Sequence, residues 1–417
     1  MEEKSNKKFW KGVLTGALGM VLIIGIAVGT AVAGNVLIIE KNPNIAIQQA
    51  SESDSRPISA KVQTKLNTLE KYVQSGFLFD IDQKKLEEYL YKGYIAGLND
   101  IYSAYYTKEE FEQMNESISG TYYGIGVMVS KDKEGQISVV RVFENCPGAE
   151  AGILPNDRIV KVGDVLVTGM ELNEVVKHIK GEEGTKVAIT VFRESDNEYH
   201  EVEVERRNVE NPTVTHEMLE NQIGYLQITE FDEITVTQFE QAMQDLEQQG
   251  MQGLIIDVRN NPGGLLSSVV KILEGILPEG KIVYTKDKNE QGKTYMSEGK
   301  TPFTKPMAVL VNENSASAAE IFSGAIKDYK LGTLIGKTTF GKGIVQTVLP
   351  LSDGSALKMT VSRYYTPSGV CIHETGITPD IEVTLDEALQ QQINIEKSQD
   401  TQLQKAIEIV NDKITKK

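Results

Sequence analysis

The sequence predicts an α/β protein with a second, strand-rich domain, helical segments at both ends and an apolar segment at its N-terminus. After Pro212, strand-like runs alternate with helical stretches, which is the pattern of an α/β core. Between residues 124 and 206, short strand-like runs are separated by glycines, with one helical stretch at 171–179. From Gly12 to Ile39 there is no charged residue, and a bilayer core needs only about 20 apolar residues.

The N-terminal segment predicts where the chain lies. Ala31-Val32-Ala33 fits a signal-peptidase site, so cleavage is the alternative, but an apolar run that continues to Ile39 favours a retained transmembrane anchor. Residues 40–57 are polar and aperiodic, which is typical of a flexible stalk. Four lysines precede the anchor, so the positive-inside rule places the chain from residue 40 onwards outside the cytoplasm; they are Lys4, Lys7, Lys8 and Lys11.

Both ends of the remaining chain carry helical patterns. Within residues 58–118, apolar residues recur at helical spacing, and a second helix is predicted at 86–98. Residues 385–417 are rich in glutamine and lysine with a weak apolar stripe, which predicts terminal helices. The first helix is indicated by Val62, Leu66, Leu69 and Val73.

Composition excludes several classes of protein. The net charge of −16, from 43 basic and 59 acidic residues among 417, argues against a nucleic-acid binder, which would need a basic surface. Two cysteines, Cys146 and Cys371, are too few for a disulfide framework or a zinc site, and two unpaired thiols are favoured over one bridge. The four histidines lack metal-ligand spacing, so we expect no metal and no organic cofactor.

The stretch NENSASAAEIFSGA, residues 312–325, offers Ser317 at the start of a predicted helix. Ser317-x-x-Glu320 fits a capping box, which is the purely structural interpretation. The functional one is a nucleophile beside the free N–H groups of a helix N-terminus, which suit a developing oxyanion. Ala318 N–H is one predicted donor. The turn DVRNNPGG, with Gly263 and Gly264, could bring a second, although it could equally be a simple tight turn.

A serine nucleophile needs a base, and no histidine lies near Ser317 in the sequence. A lysine can serve if burial or nearby positive charge keeps its amine neutral. Lys342 stands between Gly341 and Gly343 and is predicted to open an apolar, buried strand. Alternate positions of a strand face the same side, so Gln346 is predicted to hold the Lys342 amine.

Two nucleotide-binding motifs are nearly matched and fail. The run from Gly336 to Lys342 lacks the hydroxyl residue of a P-loop, because Gly343 stands at that position and a strand follows. Val129 occupies the position of the third glycine of a dinucleotide-binding motif. Neither nucleotide hydrolysis nor dinucleotide binding is therefore predicted.

Four stretches in order resemble the carboxyl-terminal-processing (tail-specific) serine peptidases: DVRNNPGGLL, VNENSASAAEIFSGAIKD, GKTTFGKGIVQ and RYYTPSGVCIHETGITPDI. The resemblance implies a crotonase/Clp-like βαβ peptidase core with Ser317 as nucleophile, Lys342 as general base and Gln346 as its positioning partner. Glu320 occupies the characteristic acidic position and would orient the site. The chain departs from the family pattern at Val370, Glu374 and Ile101, which affects expectations about substrate rather than chemistry.

Residues 119–207 resemble a PDZ domain inserted before the core. Gly124-Ile125-Gly126-Val127 is similar to the carboxylate-binding loop of that fold. Consecutive N–H groups on such a turn can hold a chain-terminal carboxylate while the tail adds as a strand to an open sheet edge.

Together these features predict a membrane-anchored, extracytoplasmic serine endopeptidase that binds free apolar C-termini of protein or peptide substrates. The alternative is a non-catalytic PDZ scaffold at the membrane. By resemblance, the helical ends are candidates for homodimerisation. The predicted boundaries are 1–39 cytoplasmic tip and anchor, 40–57 stalk, 58–118 helical region, 119–207 PDZ domain, 208–384 peptidase core and 385–417 C-terminal helical region.

Overall fold

The computed structural model describes residues 39–40, 59–385, 389 and 395–416. Within these residues no helix has both the length and the apolar character needed to cross a membrane. The predicted anchor lies outside the described residues except for Ile39.

Residues 214–382 contain a six-stranded sheet in the order β11-β12-β13-β16-β17-β20. All neighbours are parallel except the β11–β12 pair. Every residue of β13 and β16 is buried, as expected for strands covered on both faces. The strands are Val214–Leu219 (β11), Ile223–Ile228 (β12), Gly253–Asp257 (β13), Met307–Val311 (β16), Thr333–Gly336 (β17) and Ile381–Glu382 (β20).

Helices cover both faces of this sheet. On one face, Glu233–Gln248 (α6), Leu266–Glu274 (α7) and Ala318–Asp328 (α8) bury the largest apolar cluster of the molecule. On the other face, Thr401–Thr415 (α9) packs Leu403 and Val410 against the outward side chains of β13 and β16. The C-terminal helical pattern thus supplies one layer of the core.

A second six-stranded sheet lies beside the first and carries the segment after Lys342. Its order is β1-β18-β19-β14-β15, and β2 pairs with β19. The pairing of β18 with β19 is irregular: Val345 lies opposite Ser362, but Gln346 lies opposite Thr360, so Val361 is an extra residue. The strands are Ile39–Glu40 (β1), Ala104–Tyr106 (β2), Gly280–Asp287 (β14), Thr294–Ser297 (β15), Ile344–Pro350 (β18) and Ala356–Tyr365 (β19).

The region predicted as a PDZ domain forms a separate antiparallel sheet, β4-β5-β6-β8-β9, with the short β7 paired to β6 and an apolar core of its own. A two-stranded ribbon, Thr121–Gly124 (β3) with Arg207–Glu210 (β10), joins its entry and exit. The sheet consists of Val127–Lys131 (β4), Ile137–Val142 (β5), Arg158–Val162 (β6), Val165–Leu166 (β7), Lys186–Arg193 (β8) and Glu198–Glu205 (β9), with helices Pro147–Glu150 (α4) and Leu172–Ile179 (α5).

The N-terminal helices are Ala60–Gly76 (α1), Gln83–Ala96 (α2) and Lys108–Ser119 (α3). No residue of α1 is buried, whereas α3 buries Met114 and Ile118. Between α2 and α3 the chain crosses to the second sheet, where β2 pairs with β19 and Ala104 lies opposite Lys358. The residues just before β2 thereby reach the core.

Candidate active site

Ser317 lies on a sharp turn between β16 and α8. Its backbone has φ 58° and ψ −111°, a conformation that is costly for a residue with a side chain. The residue is fully buried, and none of the described residues forms a hydrogen bond with its Oγ. Tyr364, also fully buried, donates its hydroxyl to the Ser317 carbonyl at 3.0 Å and helps to hold the turn. The strained turn therefore presents an unengaged hydroxyl at the start of a helix.

Glu320 ties the Ser317 turn to the Lys342 loop. One of its oxygens accepts from Ser317 N–H and from Lys342 N–H, each at 2.8 Å. The other accepts from Gly341 N–H at 2.7 Å and from the Thr339 hydroxyl. Burial raises the pKa of Glu320, and these hydrogen bonds oppose that rise. Of the two hydrogen bonds of the predicted capping box, the one from Ser317 N–H to the Glu320 carboxylate is present. The one to Ser317 Oγ is absent among the described residues, which leaves this oxygen available for chemistry.

The turn containing Gly263 packs directly against the nucleophile. Gly263 has φ +112°, and a Cβ there would come within 2.7 Å of Ser317 Cβ and 3.0 Å of Ala318 N. Gly263 N–H donates to Asn261 Oδ1 at 2.8 Å. The pairing with Phe231 uses Gly263 O and Leu265 N–H, so Gly264 N–H lies outside it. Ala318 N–H, in the first turn of α8, has no intrahelical acceptor.

Lys342 is buried, with 1% exposure, and its Nζ has no hydrogen-bond partner among the described residues. The Nζ lies 3.5 Å from the centroid of the Tyr102 ring. Burial lowers the pKa of Lys342 to about 6, and the charge of Lys358 is the next largest cause. The ring face would favour the ammonium by about 0.5–2 kcal/mol, which offsets only part of this effect. The amine is therefore neutral near pH 7, as a general base requires.

Gln346 lies on β18, whereas Lys342 precedes the strand in the loop. Gln346 Nε2 donates to Thr360 Oγ1 at 3.1 Å, and Thr360 in turn hydrogen-bonds to Asp100. Gln346 Oε1 is buried and, like Lys342 Nζ, has no hydrogen-bond partner within the described ranges. The structure thus contains no hydrogen bond between these two atoms, and the predicted positioning role stays a prediction.

Several residues of the base pocket were not expected to belong to the site. Tyr102 and Asp100 come from the connection between α2 and α3, and Lys358 and Thr360 come from β19. In the sequence, Asp100 and Tyr102 were notable only as the neighbours of Ile101, which departs from the family pattern. A lysine within the otherwise apolar run ALKM was the available signal for Lys358.

The predicted tail-binding loop borders a groove between β4 and α5. Ile125, Gly126 and Val127 line the groove, and Gly124 lies just before it at the end of β3. The remaining lining residues are apolar apart from Lys180 and the hydroxyl of Tyr122; they are Tyr122, Val129, Val176, Ile179 and Lys180.

Elsewhere in the described part of the chain, no group of three or more His, Cys, Asp or Glu side chains is arranged to hold a metal ion. Cys146 and Cys371 are not bonded to each other, and both are half-buried.

Comparison with known proteins agrees with this geometry. Residues 222–383 match peptidase family S41, and residues 138–193 match the PDZ domain. The carboxy-terminal processing protease CtpA of Bacillus subtilis is 37% identical over 360 residues, covering 85% of this chain and 76% of that protein. CtpB of the same organism is 32% identical over 371 residues, covering 88% of this chain and 76% of CtpB.

A crystal structure described as an S41 protease from Bacteroides fragilis superposes with a TM-score of 0.51 at 17% identity, over 77% of this chain and 90% of that one, and shows the shared fold. The sequence relationship goes further than fold, because more than two thirds of each curated relative is covered at over 30% identity. The chain belongs to peptidase family S41 and is a serine-type carboxy-terminal processing peptidase.

Proposed function

We propose that the chain is a membrane-anchored, extracytoplasmic endopeptidase that uses a Ser317–Lys342 pair and recognises substrate tails through its PDZ domain. One observation carries the catalytic part of the proposal. Ser317 Oγ and Lys342 Nζ are both buried and lack hydrogen-bond partners among the residues that the structure describes, while the Glu320 carboxylate accepts a hydrogen bond from the backbone N–H of each residue. The two reactive groups are thereby fixed to one buried anchor and left free themselves.

The proposed reaction is acyl transfer. The neutral Lys342 amine takes the proton of Ser317 as Oγ attacks the peptide carbonyl, and the resulting ammonium gives a proton to the leaving amine. A water molecule then attacks the acyl-enzyme with the amine again as base. Ala318 N–H and the Gly263–Gly264 turn would stabilise the oxyanion, the turn through Gly264 N–H because Gly263 N–H is bonded to Asn261. No step requires a metal or an organic cofactor.

Substrate recognition would use the groove between β4 and α5. β4 is the edge strand of the PDZ sheet, so an extended tail can add beside it through main-chain hydrogen bonds. The apolar lining of Val129, Val176 and Ile179 suits an apolar terminal side chain. Because Lys180 is ion-paired with Glu116 at 2.9 Å, the backbone N–H groups of the loop would hold the carboxylate.

Anchoring rests on the uncharged stretch from Gly12 to Ile39 and the lysines before it. If the proposal is right, the full-length protein stays in the membrane pellet after an alkaline wash. A chain that begins at residue 40 would be released; pelleting of both forms would contradict the anchor.

Homodimerisation is proposed through the N-terminal helices and their connection, which expose large apolar side chains such as Leu69, Tyr72 and Leu78. Sedimentation of a chain that begins at residue 40 would give the mass of two copies. The mass of one copy at all concentrations would refute this part of the proposal.

The central test compares the full-length protein with Ser317→Ala and Lys342→Ala. Each is incubated with a loosely folded protein that ends in a free apolar tail, and with the same substrate amidated at its C-terminus. We expect fragments only from the parent enzyme, and fewer of them from the amidated substrate.

The outcomes separate the parts of the proposal. If Lys342→Ala cuts as well as the parent, Lys342 is not the base. Equal cleavage of free and amidated substrates would contradict tail recognition. Binding of the tail without cleavage by any of the three proteins would favour the scaffold over the Ser–Lys mechanism.

A further inference from the structure

A second lysine, Lys358, is buried close to the Lys342 base. It lies on β19, where its backbone pairs with Val348 of β18 on one side and with Ala104 of β2 on the other. Its exposure is 0%, and its Nζ lies 5.4 Å from the centroid of the Tyr106 ring. Burial lowers the pKa of Lys358 to about 8. The reaction described above makes no use of this residue.

The register of β19 places Lys358 in the same pocket as the base. Alternate residues of a strand share a face, so Lys358 and Thr360 point to the same side. Thr360 contacts Gln346 on that side, with 3.1 Å between Thr360 Oγ1 and Gln346 Nε2. Lys358 therefore lies two residue pairs along the β18–β19 ladder from Gln346, on the same face of the sheet. The positive charge of Lys358 disfavours protonation of the neutral Lys342 amine.

Asp100 supplies the negative charge of the pocket. Its carboxylate accepts from Ser103 Oγ at 2.6 Å, from Tyr102 N–H at 3.1 Å and from the Thr360 hydroxyl. Burial raises the pKa of Asp100, but these hydrogen bonds outweigh it and keep the carboxyl ionised. Its charge favours the ammonium form of both Lys342 and Lys358. The two amines thus compete for one carboxylate.

The remaining groups that face Lys342 do not decide this competition. Glu320, from α8, favours a charged Lys342, but its two oxygens already accept hydrogen bonds from four donors. Tyr102 contributes its ring face. His373 contributes backbone beside Gly343. Of the groups whose charge reaches Lys342, Lys358 is the cation, and its environment differs enough from that of Lys342 to separate their roles.

This inference rests on the function proposed above. We propose that Lys358 is a positioning residue for the general base: it carries the proton that balances Asp100, and so leaves the Lys342 amine without a proton and ready for Ser317. Without Lys358, Asp100 would act on Lys342 alone and favour its ammonium form. The same geometry gives the N-terminal helical region a part in catalysis, because the connection after α2 carries Asp100.

The test is the pH dependence of kcat/KM between pH 5 and 10, measured on the full-length enzyme with a soluble peptide substrate. In the parent, activity rises with pH as Lys342 loses its proton. Lys358→Met should move this rise upwards from a pKa of about 6 by about one pH unit, so activity falls about tenfold at pH 5 and about twofold at pH 7, and recovers near pH 9. Lys337→Met, a half-buried lysine outside the pocket, is the matched control and should leave the profile unchanged.

A double variant sharpens the test. Asp100→Asn combined with Lys358→Met removes both charges, so the profile should return towards that of the parent. A purely structural role for Lys358 predicts instead an equal loss at every pH and a greater loss in the double variant. Either of those results would overturn the proposal.

Two further readouts keep the result decisive. If Lys358→Met does not fold, as judged by thermal unfolding, Lys358→Arg replaces it; this variant keeps the cation, and an upward shift of its profile would refute the proposal. The rate at which a sulfonyl fluoride labels Ser317 should follow the same pH dependence.

An active Lys342→Ala would refute the proposed function itself, whereas an inactive Lys342→Ala with an unshifted Lys358→Met profile would refute only this inference.

Discussion

The two halves of the site are built on opposite principles. On the nucleophile side, the Glu320 carboxylate accepts four hydrogen bonds, and one of them fixes the strained turn of Ser317. On the base side, Lys342 Nζ and Gln346 Oε1 are buried with no hydrogen-bond partner in the part of the chain that the structure describes. One half is thus saturated with hydrogen bonds, and the other keeps two polar atoms unsatisfied.

The difference shows how order and reactivity are divided. Satisfied hydrogen bonds fix the position of Ser317 against the Gly263 turn, where a displacement of 1 Å can cost about a hundredfold in rate. Unsatisfied burial on the base side lowers the pKa of Lys342 to about 6. The nucleophile side therefore fixes the position of the attacking hydroxyl, and the base side keeps the Lys342 amine neutral so that it can accept a proton. Substitutions on the two sides should differ in kind as well as in size.

The largest effect is expected on the nucleophile side, from Glu320→Gln. The amide keeps the shape of the carboxylate but turns one acceptor into a donor, which would face N–H groups of Ser317, Gly341 or Lys342. A buried donor without an acceptor costs about 1–3 kcal/mol, and the Ser317 turn should shift. We expect kcat/KM to fall about a hundredfold or more, together with a lower melting temperature.

Exposed Glu313, on the loop that precedes Ser317, provides the matched control as Glu313→Gln, which should change neither property. A Glu320→Gln enzyme with full activity would mean that the carboxylate only caps the helix.

The second effect is expected on the base side. Glu320→Gln should lower the stability of the protein, whereas Lys342→Met should raise it. The folded pKa is about 6 and the unfolded pKa about 10.4, so between these values the unfolded chain binds more protons at this residue. The resulting penalty to stability is complete below pH 6 and disappears as pH rises towards 10.4. The gain from methionine should therefore shrink by about 1.4 kcal/mol per pH unit inside this window.

Urea unfolding at pH 7 and pH 9 measures that gain, with Lys337→Met as the reference. Equal gains at the two pH values would show that the Lys342 amine is charged in the folded protein. Lost activity with increased stability is the expected signature of a residue kept for function.

The nucleophile side could be read from the sequence because its signals are local. Ser317 and Glu320 lie on one helical turn, and the glycines of DVRNNPGG mark a close backbone approach that the structure confirms at Gly263. Periodicity also predicted the helix after Ser317, which the structure places at Ala318–Asp328. Short-range spacing was sufficient for these features.

The base side could not be read in this way because its walls come from distant segments. Asp100 and Tyr102 reach Lys342 only because β2 pairs with β19, a long strand that the sequence pattern did not predict. The bulge at Val361, which sets Thr360 opposite Gln346, is also a property of strand pairing. Long-range register decides which polar groups meet, and one sequence alone gives no measure of it.

The smallest effect is expected from Thr360→Val, which breaks one link on the base side without removing a charge. Valine keeps the branched shape that suits β19, but Gln346 Nε2 loses its acceptor at 3.1 Å. One neutral hydrogen bond contributes about 1 kcal/mol, and about 1.4 kcal/mol corresponds to a tenfold change in rate. We therefore expect kcat to fall by up to about tenfold.

The pH profile separates this variant from the charge variants. Because Lys358 and Asp100 both remain, the rise of activity with pH should stay where it is in the parent. Thr190→Val, on β8 of the PDZ sheet, is the matched control and should leave kcat unchanged. A shifted profile in Thr360→Val would mean that this hydroxyl, and not Lys358, controls the protonation of Lys342. An unchanged kcat would mean that the orientation of Gln346 is set without Thr360, and that the amide does not need the link to Asp100.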